Sequence, residues 1–108
     1  MNLSEFVDRL LTVSEHTYQD EANQEPEEYI VWTLVSDKSM RADGTATESA
    51  MRINVRIFTA KAFSSLPAKL KAMFNDNDIA YEDMQYQFYK NEKTGVSYGI
   101  YSTFCEVE

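Results

Sequence analysis

Residues 51–57 read Met-Arg-Ile-Asn-Val-Arg-Ile, and this alternation decides the fold. In an extended chain Met51, Ile53, Val55 and Ile57 point to one side, and Arg52, Asn54 and Arg56 to the other. One apolar face at a period of two is a strand laid on a core, its second face wet or at an interface. Upstream, Tyr29-Ile-Val-Trp-Thr-Leu-Val35 is a second strand, rich in β-branched and aromatic residues. It is apolar on both sides, with Ile30, Trp32 and Leu34 on one and Tyr29, Val31 and Val35 on the other. Such a strand is covered on both faces, either by its own chain or by a neighbouring subunit. Between the two strands, Ser36 to Thr47 is small, polar and charged, with a turn signal at Asp43-Gly44. It reads as a long hairpin loop, of a length that is often functional or mobile.

Further out, Leu3, Phe6, Val7, Leu10 and Leu11 recur at helical spacing, with Ser14 and Tyr18 prolonging the stripe. Asn2 is a capping residue with Glu5 three positions on, so a helix is expected over residues 2–17. Asp20 to Glu28 is acidic, contains Pro26 and reads as a connection. Ser64-Ser65-Leu66-Pro67 starts a second helix with the stripe Leu66, Leu70, Met73 and Phe74, stopped by Asn75-Asp76-Asn77-Asp78. A third strand is expected over residues 81–89, with Met84, Tyr86 and Phe88 alternating against Gln85 and Gln87. Asn91 to Gly95 is a hairpin turn, and a fourth strand follows over residues 96–107. Gly99 inside that strand signals a bulge or a close backbone approach. The order α-β-β-α-β-β predicts an α+β fold: an antiparallel four-stranded sheet with two helices packed on one face. Residues 1–108 form a single domain, with neither an internal repeat nor a linker.

Composition narrows the functional classes. The net charge is −8, unevenly placed. Residues 1–28 hold eight acids against one base, residues 29–71 seven bases against three acids, and residues 72–108 seven acids against two bases. A chain of this balance repels nucleic-acid phosphate, but copies of it can attract one another, acidic patch to basic patch. Cys105 is the lone cysteine, which precludes an intramolecular disulfide. With neither a signal-peptide pattern nor an apolar run near the 20 or so residues of a membrane helix, the chain is expected in a reducing cytoplasm, away from membranes.

The residues that could carry chemistry lack partners. His16, the sole histidine, is expected late in the first helix, where the dipole favours a cation. Cys105 has no basic neighbour in sequence to lower its pKa. The Asn75–Asp78 run fails as a calcium loop: counted from Asp76, position six is Tyr81 rather than Gly, and position twelve is Gln87 rather than Glu. Three glycines do not make a phosphate-binding loop. Arg52 and Arg56 lie four apart on one strand face, with Lys38 and Arg41 in the preceding loop, but that face has no interleaved aromatics for reading nucleic acid. The expectation is no enzyme, no cofactor and no metal.

The layout also resembles a known family. "EYIVWTLV" after an N-terminal helix, then "MRINVRIFTAK", the helix "LPAKLKAMF" and a closing "QYQFYKNEKTGVSYGIYSTF" are similar to the tail terminator, or tail completion, proteins of long-tailed bacteriophages and prophages. The likeness is carried by the aromatic-Ile/Val-Val-aromatic run Tyr29 to Trp32, by Glu92-Lys93-Thr94-Gly95, and by the aromatic last strand Tyr98 to Phe104. One departure is Val96-Ser97-Tyr98, where the family often has a His soon after the glycine.

The resemblance implies a structural subunit that caps the tail tube as a ring homo-oligomer, a hexamer. It stops tube growth and then docks on the head-side connector. It implies work in the host cytoplasm during assembly and a place in the virion tail, with no direct contact to nucleic acid. The partners are then other copies, the tail tube protein and the connector, and the Ser36–Thr47 loop orders against a neighbour or the tube. Tyr29, Val31, Lys38, Arg41, Arg52 and Arg56 are the candidate interface residues, with the acidic segment before Tyr29 meeting the Arg52–Arg56 face of the next copy. The alternative reading is an acidic antagonist that mimics nucleic-acid charge and binds a DNA-binding protein. A small enzyme with an acid–base pair in a sheet cleft is a third reading, and no motif supports it.

Overall fold

The computed structural model describes residues 1–37 and 50–108. The chain runs α1 (Leu3–Val13), β1 (Thr17–Gln19), β2 (Glu28–Asp37), β3 (Met51–Thr59), α2 (Leu66–Asp76), β4 (Ala80–Tyr81), β5 (Gln85–Lys90) and β6 (Ser97–Val107). The expected four-stranded antiparallel sheet and its α-β-β-α-β-β order are overturned. The fold is α+β, but the described residues form a six-stranded mixed sheet in the order β1-β2-β3-β6-β4, with β5 also paired to β6. β1 runs parallel to β2, and every other pairing is antiparallel.

Two short segments cause the difference. The first is the end of α1. Asn2 caps the helix as expected, its side chain accepting from the Glu5 N–H at 2.8 Å. The helix stops at Val13, four residues before the expected boundary, because Ser14 turns extended (φ −150°) as its N–H closes the last turn on the Leu10 carbonyl. The chain then lies along β2, Thr17 opposite Ile30 and Gln19 opposite Trp32. Asp20, at φ +63°, ends this strand in the left-handed region that Asp tolerates better than most residues. His16 therefore sits between helix and strand, not on the helix.

The second is the expected strand 81–89, which is split. β4 pairs Tyr81 with Cys105, and β5 resumes with Gln85 opposite Ser102. Residues 82–84 thus span only Thr103 and Phe104, a one-residue bulge. It is held by the Glu82 N–H on the Phe104 carbonyl at 2.9 Å and the Thr103 hydroxyl on the Glu82 carbonyl at 2.6 Å.

The helices pack on one face of the sheet. Phe6 and Leu10 of α1, and Leu66, Leu70, Met73 and Phe74 of α2, form one core with Ile30, Trp32, Ile53, Val55 and Ile57. The other face carries a smaller cluster. Tyr29, Val31 and Tyr98 are buried there against Tyr18, Ala22 and Phe58. Tyr29 stacks on Phe58 at 4.7 Å, and the edge of Tyr98 meets Tyr29 at 5.9 Å. The segment after β1 folds back over this cluster, and the Tyr98 hydroxyl donates to the Glu25 and Pro26 carbonyls at 3.4 Å. The chain itself thus covers both faces of β2 over Tyr29 to Trp32.

Candidate functional site

Two of the six residues expected at an interface, Lys38 and Arg41, lie outside the described residues, as does most of the Ser36–Thr47 loop. Tyr29 and Val31 are in the wrong place for a partner. They are 4% and 3% exposed, inside the aromatic cluster and under the chain's own fold-back. The outer edge of β2 beside them is occupied by β1. Burial and the neighbouring Glu25 carboxylate push the Tyr29 hydroxyl up to about 12, so it stays neutral.

Arg52 and Arg56 lie on the face away from the helices, and both are engaged within the subunit. Arg52 pairs with Glu82 at 2.5 Å, reaches Glu106 at 3.9 Å and lies 4.6 Å over the Phe104 ring. Arg56 donates to the Asp20 carbonyl at 3.4 Å, while its Nε is buried without a partner among the described residues. The acids that meet Arg52 among the described residues are Glu82 from the bulge and Glu106 from β6, not ones from the segment before Tyr29.

Sequence reasoning placed Tyr86 and Phe88 on an apolar strand face without finding that the face is bare. β5 is exposed along its whole length, with Tyr86 at 59%, Phe88 at 67% and Tyr89 at 46%. Tyr86 and Phe88 sit opposite Tyr101 and Gly99, on the helix side of the sheet, and Tyr89 sits opposite Tyr98 on the other. The helices do not reach this hairpin. Each has 11 residues, about 16 Å at 1.5 Å per residue. β6 also has 11 residues, but at 3.3 Å each it spans about 36 Å. Comparing those two lengths was the available signal. Gly99 has the close-approach role expected of it: the Tyr86 ring lies so near that an added Cβ would stand 2.9 Å from Cε2. Tyr86 also packs on Tyr101 at 5.0 Å, so the aromatic surface of the hairpin is pre-arranged.

The two reactive side chains occupy ordinary surroundings. His16 lines an open cleft with Ser14, Glu15, Glu27, Glu28 and Lys61, and its Nε2 is 3.7 Å from Glu15. Cys105 is 1% exposed, and burial pushes its thiol up to about 12. We expect this thiol to resist alkylation at pH 8 in the native protein and to react only as the domain opens, so that modification tracks global unfolding. Rapid native-state labelling, read by mass spectrometry, would show that the core around Cys105 opens locally.

No helix among the described residues is long and apolar enough to cross a membrane. No protein-family model matches the chain, and no curated protein matches it.

Proposed function

We propose that the chain is a structural subunit that acts by packing against copies of itself and other proteins: a ring, hexameric in the family it resembles, that caps a phage or prophage tail tube, stops its growth and then meets the head-side connector. The observation that carries the assembly reading is the bare β5–β6 hairpin. An open edge strand with Tyr86, Phe88 and Tyr89 exposed on its two faces has the composition of an interface before its partner arrives. The tail-tube assignment rests on the whole-chain sequence resemblance. The exposed acids Glu15, Asp20, Glu21, Glu25 and Glu27, uninterrupted by any Lys or Arg, favour the second reading, an acidic mimic of nucleic acid.

One experiment separates the two. Purified tail tubes are mixed with the protein, challenged with fresh tube subunits and imaged by negative stain. The terminator reading expects a ring at the tube end and no further elongation. Tubes that elongate unchanged with bare ends overturn it. A monomer that instead displaces DNA from a DNA-binding protein establishes the mimic.

A further inference from the structure

Among the described residues the sheet has two open edges, of opposite charge. At one end β5 pairs only with β6 among the described residues. Natural sheets protect such edges with lysines, prolines or bulges along the strand. β5 has none of these over Gln85 to Tyr89. Its single lysine is the last residue, it holds no proline, and the bulge precedes it. From Met84 to Cys105 the only charged residues are Lys90, Glu92 and Lys93, so this hairpin is a cationic end on a strongly acidic chain. At the other end β1 pairs only with β2 among the described residues. It is flanked by the exposed acids Glu15, Asp20 and Glu21, with the exposed Glu27 sharing a cleft with Glu15, and no Lys or Arg occurs between Arg9 and Lys38.

Strand polarity makes these edges compatible. β1 runs with β2, while β2, β3, β6 and β5 alternate in direction, so β5 runs opposite to β1. A second copy set beside the first with the same face up presents its β1 antiparallel to β5. The C-terminal end of β5, with Lys90 and Lys93 in and beside it, then meets the N-terminal end of β1. Glu15 lies two residues before that end, and Glu27 leads into the same end of β2, in one cleft with Glu15. Pairing two β5 strands instead would leave this acidic edge unmatched.

We infer that the β5 edge of one copy pairs with the β1 edge of the next, continuing the sheet across the subunit boundary, with Lys90 and Lys93 set against Glu15 and Glu27. This rests on the assembly reading above and names its contact. The contact is heterologous, so it propagates from copy to copy and closes if the rotation per subunit allows. Because it uses Lys90 and Lys93, it leaves Arg52 with its own Glu82.

The test is a charge swap read by sedimentation velocity over a range of concentrations in low salt. One variant carries Lys90→Glu and Lys93→Glu, the other Glu15→Lys and Glu27→Lys; all four side chains are exposed, and thermal melting verifies the fold. Wild type is expected to self-associate, and each variant alone to associate about tenfold more weakly or worse. Mixing the two variants should restore association as hetero-oligomers. A third variant, Phe88→Lys, should associate weakly with an unchanged melting temperature, because Phe88 is 67% exposed. The inference is overturned if wild type stays monomeric throughout, if the lysine reversals leave association unchanged, or if the mixture does not recover it. Tube capping that persists in the reversed variants would leave the ring proposal standing while removing this contact. Charge-swapped self-association in a protein that does not cap tubes would do the reverse.

Discussion

Val55→Asp is expected to leave the domain largely unfolded at room temperature. Val55 is fully buried, in the middle of β3 and between Trp32 and Thr103 on the neighbouring strands. Its side chain belongs to the core that includes Leu66, Leu70 and Phe74 of α2. Aspartate there would remove apolar packing and bury a carboxyl group with no partner. The latter belongs to the short list of changes that cost more than about 4–5 kcal/mol. A domain of this size has a stability of about 5–15 kcal/mol, so one substitution removes most or all of it. Val55→Ala separates the two causes. It creates a cavity without a charge, and should cost about 2 kcal/mol. Circular dichroism melts of wild type and both variants give the order directly. If Val55→Asp melts within a degree or two of wild type, residue 55 does not face the helices and the register of β3 is wrong.

That register was legible because seven residues alternate without exception and a one-residue slip would turn every arginine inward. The helix α2 was equally legible, down to its Ser-Pro start. There, however, the Ser64 hydroxyl rather than that of Ser65 accepts from the Leu66 N–H, at 3.1 Å. What could not be read were the elements too short to show a period. Three residues of β1 and two of β4 carry no alternation, and their pairing is imposed by the strands they lie against. Thr17-Tyr18-Gln19 looks like the tail of a helical stripe until Ser14 ends the helix. The same slip misplaced two interface residues. An apolar outer face on β2 implied a cover, and the choice between a partner and the chain itself depended on whether residues 18–26 fold back. They do, so Tyr29 and Val31 are core. The aromatics of β5 were legible as side chains but not as surface, because sequence alternation reports which residues share a face, not whether a helix is long enough to cover it.

Glu28→Gln should remove both stability and a pH dependence. Glu28 opens β2, and its side chain is only 16% exposed. Its carboxylate accepts from the Thr59 hydroxyl at 3.0 Å, at the end of β3, and from the Ser64 hydroxyl at the start of α2. Lys61 lies 3.0 Å away. One acid thus ties together the segment leading into a helix and the ends of two strands. Ser64 in turn receives the Leu66 N–H, so the tie includes the cap of α2. Burial by itself would push this carboxyl up. The hydrogen bonds from Ser64, Lys61 and Thr59, with the charge of Lys61, outweigh burial and hold it below its ordinary 4.5. A carboxyl whose folded pKa is depressed stabilises the fold above its unfolded pKa, and that contribution is lost as pH falls through the folded value. Wild type should therefore lose stability steadily below about pH 4.5, and Glu28→Gln should show a shallower decline over the same window. At neutral pH the variant is expected to be less stable by about 1.5–3 kcal/mol, the range for hydrogen bonds to a charged group. Lys61→Met should cost much less, because the ammonium is solvated and its share of the interaction is screened by salt. Urea unfolding of the three proteins at pH 7 and pH 3.5 tests this arrangement. Equal losses for wild type and Glu28→Gln on acidification would show that the carboxylate is not what these three hydrogen-bonding groups stabilise.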